Sequence, residues 1–394
     1  MINIELLQIT VQNLSDAYQV FTSLNSKGLP LTPLDLMKNV YLSKDGEIDK
    51  WNALKGLFVQ EDNLDEVRLT QFVLNNYDAF ENTDIAKSLT KGSLVRVYEG
   101  LFKEHGKFYI DSLIANADVF LQIANSEDSY NFGLSGLAKL DSTTAYPLLM
   151  YLLKNRDKLE IKDYFDEIIK LFVKLYVRRN IALTPKASNL RHELIRLKNS
   201  IANEKEGIKG KRLFDFLVHE ITKIAPKDET VRIVLDEGLY DKNKCTTRFV
   251  LISLERKYGS KIFNKGNPDS LDDFLKTGLL RWSIEHILPQ GKPLPSSWAN
   301  DISSDDLSKA DDIQDEYTHL LGNLTLTPYN PELGTKPFVE KVQLKDDKGG
   351  LVGLSLPLFL NESIDKTKEK WTAEDIKKRN SILIEKVLEL FSLS

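Results

Sequence analysis

Apolar residues recur every three or four positions over most of the chain, which is the spacing of amphipathic helices. The first such repeat follows Ser15, a plausible N-cap, and consists of Ala17, Val20, Phe21 and Leu24. A second helix is predicted to begin with Thr32 as N-cap and Pro33 at its first position, with Asp35 in the first turn. Residues 1–60 are therefore expected to form a helical hairpin.

The helical spacing continues through the middle of the chain. Residues 164–177 and 190–197 both repeat apolar side chains at this period, and strand-like alternation is rare between residues 61 and 270. We interpret residues 61–270 as an all-helical middle domain.

The pattern changes after residue 270. Apolar and polar residues alternate from Leu280 to Leu288, which predicts a strand that Pro289 ends. An acidic surface loop is expected next, then a second short strand over 323–327 and a short helix through Phe338. A last helix is predicted with Thr372 as its cap. Residues 271–394 thus read as an α+β domain, which gives a mainly α protein with this domain at its C-terminal end.

Composition narrows the class of protein. The chain has 394 residues, a net charge of −5 and one cysteine, so neither an intramolecular disulfide nor a cysteine zinc cluster can form. The longest apolar run, 145–153, is far shorter than the roughly 20 residues of a membrane span. The first residues also lack the pattern of a signal peptide. We expect a cytoplasmic protein without a membrane partner.

Charge is distributed unevenly. Residues 170–212 contain twelve Lys and Arg against three Glu, a net charge of +9 in a chain that is acidic overall. Such a segment either contacts the phosphates of nucleic acid or solvates exposed helix faces. The neighbouring Arg178 and Arg179 are DNA-binding candidates within it, and bracing of the helical domain is the alternative.

One group of residues has the composition of a one-metal nuclease site. Hydrolysis of a phosphodiester needs a base that activates water and a metal that neutralises charge on phosphate oxygens. His286 can be the base, and the adjacent Glu285 and the amide of Asn330 can supply hard oxygen ligands for Mg²⁺ or Mn²⁺. His319 is close to Gly322 and could join the site, although a packed or solvated role is expected of it.

These residues stand in motifs that resemble a known family, the GmrSD-like modification-dependent (type IV) restriction endonucleases. The matching elements are Glu285-His286-Ile287-Leu288-Pro289, Gly322-Asn323-Leu324-Thr325-Leu326, Asn330, Phe338 with Lys341, and the stretch WTAEDIKKR at 371–379. Near the start, the spacing of Phe21, Leu24, Asn25, Gly28, Leu31, Asp35, Leu36, Lys38 and Asn39 is similar to the end of the family's N-terminal module.

The resemblance implies a fold and a set of roles. The family's C-terminal domain is an HNH, or His-Me finger, nuclease with a ββα-metal fold. Applied to the matching positions of this chain, the resemblance makes His286 the general base. It makes Asn323 the residue that steadies either His286 or the local backbone. Glu285 and Asn330 become metal ligands, and Lys341 contacts phosphate. The implied function is a DNA endonuclease of a prokaryotic anti-phage defence system.

The family's ParB-like nucleotide-binding module has no counterpart here, because its Asp-Gly-Gln-Gln-Arg type motif is missing from the sequence. The chain is then a truncated relative, a fragment of a longer protein or one half of a split system, and in the last case a separate protein that carries this module is the expected partner. The alternative function is a nucleic-acid or partner-binding module with an inactive nuclease fold. The sequence leaves the oligomeric state and the DNA specificity open.

Overall fold

The computed structural model describes residues 32–84, 89–125, 132–204, 207–259 and 261–393, and it is mainly helical. The predicted helix after Ser15 lies outside these residues. The chain divides into two compact units, the first formed by 1–126, 143–163 and 188–213, the second by 127–142, 164–187 and 214–394. The three-part division at residues 60 and 270 stays a prediction.

The first unit consists of helices around an aromatic and aliphatic core. Its elements are α1 (Pro33–Leu42), α2 (Ile48–Gly56), β1 (Val59–Gln60), β2 (Asn63–Leu64), α3 (Glu66–Asn76), a π-helical turn (Tyr77–Glu81), α4 (Leu94–His105), α5 (Tyr109–Ala124), α7 (Tyr146–Lys154) and α9 (Ala187–Asn203). The start of α1 is as predicted: Thr32 caps the helix, Pro33 follows, and Asp35 bonds back to the amide of Thr32.

The second unit contains the C-terminal part of the chain. Its elements are α6 (Leu134–Lys139), α8 (Phe165–Ala182), most of α10 (Gly210–Ile224), α11 (Asp228–Glu237), α12 (Lys244–Tyr258), β3 (Ser283–His286), α13 (Ser296–Ile302), α14 (Ala310–Tyr317), β4 (Leu324–Thr327), α15 (Asn330–Leu333), α16 (Phe338–Gln343) and α17 (Ala373–Leu390). No helix in the described ranges is long and apolar enough to cross a bilayer.

β3 and β4 form an antiparallel pair in which Ser283 lies opposite Thr327 and His286 opposite Leu324. β3 is shorter than the nine residues that alternate in the sequence. It ends at His286 because the amide of Leu288 donates to the side-chain oxygen of Asn323 and not to the backbone of a partner strand. Ile287 and Leu288 then enter a core cluster with Trp298.

The segment between β3 and β4 is more ordered than the predicted acidic loop. It contains α13 and α14, and Trp298 of α13 is fully buried beside Phe338 and Trp371. Most of the acidic residues are exposed, while apolar residues of these short helices pack in a core cluster with Ile287 and Leu288, which follow β3.

α17 holds the turn that precedes β4. Its N-terminus has the predicted capping box between Thr372 and Asp375. Gly322 packs so closely on this helix that a Cβ atom there would lie 2.1 Å from the carbonyl oxygen of Ile376. Arg379 is buried beneath the same turn and donates hydrogen bonds to the carbonyl oxygens of Gly322 and Leu324. The packing of Gly322 and the hydrogen bonds of Arg379 thereby hold the turn before β4 in place.

Candidate active site

The candidate site is built at the end of β3, where the two sequence motifs meet. His286 is the last residue of this strand. The next amide, that of Ile287, donates a 2.9 Å hydrogen bond to the carbonyl oxygen of Asn323. The Glu-His-Ile element and the Gly-Asn-Leu element are therefore adjacent backbone segments, although more than thirty residues separate them in the chain.

Asn323 fixes the backbone that follows His286. Its side chain is fully buried, and its Oδ1 atom accepts a 2.7 Å bond from the amide of Leu288. Its Nδ2 atom donates to the carbonyl oxygens of Leu288, at 2.9 Å, and of Thr318, at 3.0 Å. Asn323 thus steadies the local backbone, one of the two ways in which the resemblance suggests it acts.

The imidazole of His286 lies in a ring cluster. It is 6% exposed, and its Nε2 atom is 3.3 Å from Nδ1 of His319. The ring of Tyr240 meets it edge to face, with centroids 4.6 Å apart. Burial lowers the pKa of His286 to about 3, and His319 and Lys341 act in the same direction. The imidazole is therefore neutral at pH 7, as a general base must be.

His319 is the second histidine of this cluster. It is half-buried and stacks on Tyr240 with centroids 5.4 Å apart. Burial lowers the pKa of His319, while the carboxylates of Asp241 and Asp315 partly oppose this. Its closeness to Gly322 in the chain is the signal for which it was considered as a possible member of the site.

Glu285 and Lys341 form a buried ion pair. The Lys341 Nζ atom lies 2.5 Å from Oε1 of Glu285, and it also donates to the carbonyl oxygens of His286 at 2.9 Å and Ile287 at 3.0 Å. Burial raises the pKa of Glu285 and lowers the pKa of Lys341, and the attraction between the two charges opposes both shifts. Lys341 thus braces the end of β3, and its predicted phosphate contact stays a prediction.

Asn330 begins α15 and reaches back to β3. Its Nδ2 atom donates to the hydroxyl oxygen of Ser283 at 3.0 Å and to the carbonyl oxygen of Ile284 at 2.8 Å. These bonds anchor α15 to the strand. They use the amide nitrogen, which leaves the side-chain oxygen as the atom that would ligate a metal.

Arg178 and Arg179 have partners inside the protein. Arg178 is 3% exposed, donates to the carbonyl oxygen of Pro226 and pairs with Asp228 at 2.5 Å. Arg179 donates to the carbonyl oxygen of Pro185. Such contacts are expected if the two arginines brace the helical part of the protein. Contact with DNA stays a prediction for both residues.

The metal ligands can be tested against the geometry. Glu285 and Asn330 offer hard oxygen atoms, and Mg²⁺ is commonly bound by one or two carboxylates together with several waters. The oxygen atoms of these two side chains are therefore of the kind that a partly hydrated Mg²⁺ ion accepts as ligands. Among the described residues, however, no cluster of three or more His, Cys, Asp or Glu could hold a metal, and the Lys341 ammonium already neutralises Glu285.

Comparison with known families identifies this part of the chain. No curated protein sequence matches it as a relative. Residues 225–386 match the family model described as GmrSD restriction endonucleases, C-terminal domain. The match contains β3, β4, α15 and α16, and with them His286, His319 and Asn323. Residues 225–386 are therefore similar to the C-terminal domain of the GmrSD restriction endonucleases.

Proposed function

We propose that this chain is a metal-dependent DNA endonuclease of a prokaryotic anti-phage restriction system, and that His286 is its general base. The observation that carries the proposal is the position of His286 at the end of β3, next to the backbone that Asn323 holds and inside the matched nuclease domain. We expect the enzyme to act in the cytoplasm, where foreign DNA is met.

The order of elements supports an HNH-type, ββα-metal arrangement. β3, β4 and the short helix α15 follow one another. Their contacts bring His286 and Asn323 together at one end of the strand pair, while Asn330 anchors α15 at the other end, beside Ser283 and Ile284. In this reading Asn323 holds the backbone after the base, which fixes the direction of the imidazole. His286 then takes a proton from the attacking water.

A divalent ion, Mg²⁺ or Mn²⁺, would be held by Glu285 and Asn330 and would neutralise charge on the scissile phosphate. The chain itself supplies the base and the rigid frame around it. A DNA contact by Lys341, Arg178 or Arg179 would require each side chain to leave its present intramolecular bonds. A separate protein with a ParB-like module remains the proposed partner for nucleotide-dependent control.

The ion pair between Glu285 and Lys341 favours a second candidate. A buried ammonium that already neutralises the carboxylate reduces the need for a metal there. The second function is accordingly a nucleic-acid or partner-binding module that keeps the nuclease fold without its activity.

The two candidates are separated by incubating the full chain with supercoiled plasmid in Mg²⁺, in Mn²⁺ and in EDTA. Nicking or linearisation in either metal and none in EDTA is the result expected of the endonuclease. Isothermal titration with Mg²⁺ and Mn²⁺ provides the second arm, in which Asn330→Ala should weaken binding. Intact plasmid in every buffer, together with no metal binding, would favour the binding module.

A further inference from the structure

The ring contact between His286 and His319 carries an inference that rests on the proposed function. The two nitrogen atoms that face each other are Nε2 of His286 and Nδ1 of His319, 3.3 Å apart. The rings are nearly perpendicular, at 78°, so the approach is edge to face rather than stacked. This geometry suits a hydrogen bond directed from one ring nitrogen to the other.

Only one hydrogen can lie between the two nitrogens, and its origin decides whether His286 can act as a base. If His319 donates from Nδ1, Nε2 of His286 is occupied as an acceptor and its Nδ1 carries the remaining hydrogen. His286 would then have no free lone pair. If His286 donates from Nε2, its Nδ1 lone pair is free to accept a proton from water. General base catalysis requires the second tautomer.

The same hydrogen bond stabilises His286 after that proton transfer. His286 is 6% exposed, so the positive charge of its protonated ring is poorly solvated. The Nε2 hydrogen, donated to Nδ1 of His319, shares this charge with the neighbouring ring until His286 releases its Nδ1 proton to water. The net result is one proton moved from the attacking water to bulk water.

We infer that His319 is a positioning residue for the hydrolysis: it accepts the Nε2 hydrogen of His286 and thereby fixes the tautomer whose Nδ1 lone pair faces the attacking water. Tyr240 holds both rings, edge to face with His286 and stacked on His319. The positioning depends on the hydrogen-bond acceptor at Nδ1 of His319 and not on the size of its side chain.

The test compares His319→Ala with His319→Asn in plasmid cleavage. Asparagine places its amide oxygen on the atom that carries Nδ1 in histidine, so it keeps an acceptor in place. We expect His319→Ala to lower kcat by about 10- to 100-fold at unchanged KM, and His319→Asn to recover most of the loss. His219→Ala is the matched control, because that side chain is 67% exposed and lies outside the ring cluster.

Parent-like cleavage by His319→Ala would overturn the inference. So would an equal loss in both His319 variants with unchanged melting temperatures, because packing rather than the acceptor would then be responsible.

A nitrogen NMR experiment reads the tautomer without any cleavage. The chain has five histidines, and the signals of His286 are those lost in His286→Ala. With labelled histidine, the parent should show hydrogen on Nε2 of His286 and none on Nδ1. The opposite tautomer would refute the inference in a protein that cuts DNA. The expected tautomer in a protein that does not cut would instead leave the inference standing and reject the proposed function.

Discussion

His286 lies in surroundings that stabilise its uncharged form, and this has a consequence for stability. A histidine in an unfolded chain titrates near pH 6.5, whereas burial lowers the pKa of His286 to about 3. Protons therefore bind the unfolded chain more readily between these two values. The contribution of the neutral imidazole is fully present above pH 6.5 and is lost as the pH falls toward 3.

This predicts a difference in pH dependence between the parent and His286→Asn. Between pH 6.5 and pH 5, the free energy of unfolding of the parent should fall by about 2 kcal/mol more than that of the variant, since one proton unit is worth about 1.4 kcal/mol per pH unit. Urea unfolding at the two pH values measures it. Equal pH dependence in the two proteins would show that His286 titrates normally.

The residues of the site differ in how far the sequence could place them. His286, Asn323 and Asn330 stand in recognisable motifs, and the structure brings His286 and Asn323 together at one end of β3 and β4, while Asn330 lies at the other end. The partners of Glu285 and His319 could not be predicted, because both contacts join segments that lie 33 or more residues apart and depend on tertiary packing. Lys341 was predicted from its motif, but nothing in the sequence indicated that it is buried.

At the scale of elements, local signals predicted well. The capping boxes at Thr32 and Thr372 use side chains three residues apart, so the sequence alone determines them. The extent of β3 was overestimated, because its ladder ends where the Leu288 amide bonds to the side chain of Asn323, which lies 35 residues further along the chain. The segment before β4 was predicted as a loop because its short helices carry many acidic residues.

The close packing of α17 on the turn before β4 makes Gly322→Ala a sharp test of this region. The added Cβ would meet the carbonyl oxygen of Ile376 and the amide nitrogen of Asn380, which are backbone atoms that cannot rotate away. We expect a loss of about 3 kcal/mol or more in the free energy of unfolding. Gly291→Ala is the matched control, since nothing lies within 4 Å of its added Cβ. Similar urea midpoints for the two variants would contradict the packing described for α17.

For the whole molecule, the basic segment 170–212 is only partly a surface feature. Within the first unit, Arg191 pairs with the buried Asp78, and Lys198 is 3% exposed and donates to the carbonyl oxygen of Asn82. Within the second unit, Arg178 bonds to Pro226. A count of charges along the sequence cannot distinguish these inward side chains from exposed ones, so the +9 segment overstates the charge available to DNA.

The substitution Arg178→Met distinguishes a structural role of Arg178 from a contact with DNA. Because Arg178 makes charge-assisted bonds inside the second unit, the variant should lose about 2 kcal/mol of unfolding free energy and bind duplex DNA with the parent's affinity and salt dependence. Fluorescence anisotropy at several salt concentrations gives the affinity, and urea unfolding gives the stability. Arg212→Met, at an exposed position, should leave stability unchanged. Weaker DNA binding by Arg178→Met, with a shallower salt slope and full stability, would show that Arg178 contacts phosphate.

The most direct test of the central claim is the rate at which His286→Ala cuts supercoiled plasmid in the metal that supports cleavage by the parent. His219→Ala, prepared in the same way, controls for the loss of a histidine away from the strand pair. With His286 as general base, His286→Ala should cut at least about 100-fold more slowly than the parent, while His219→Ala cuts at the parent's rate. Cleavage by His286→Ala at the parent's rate would contradict the account.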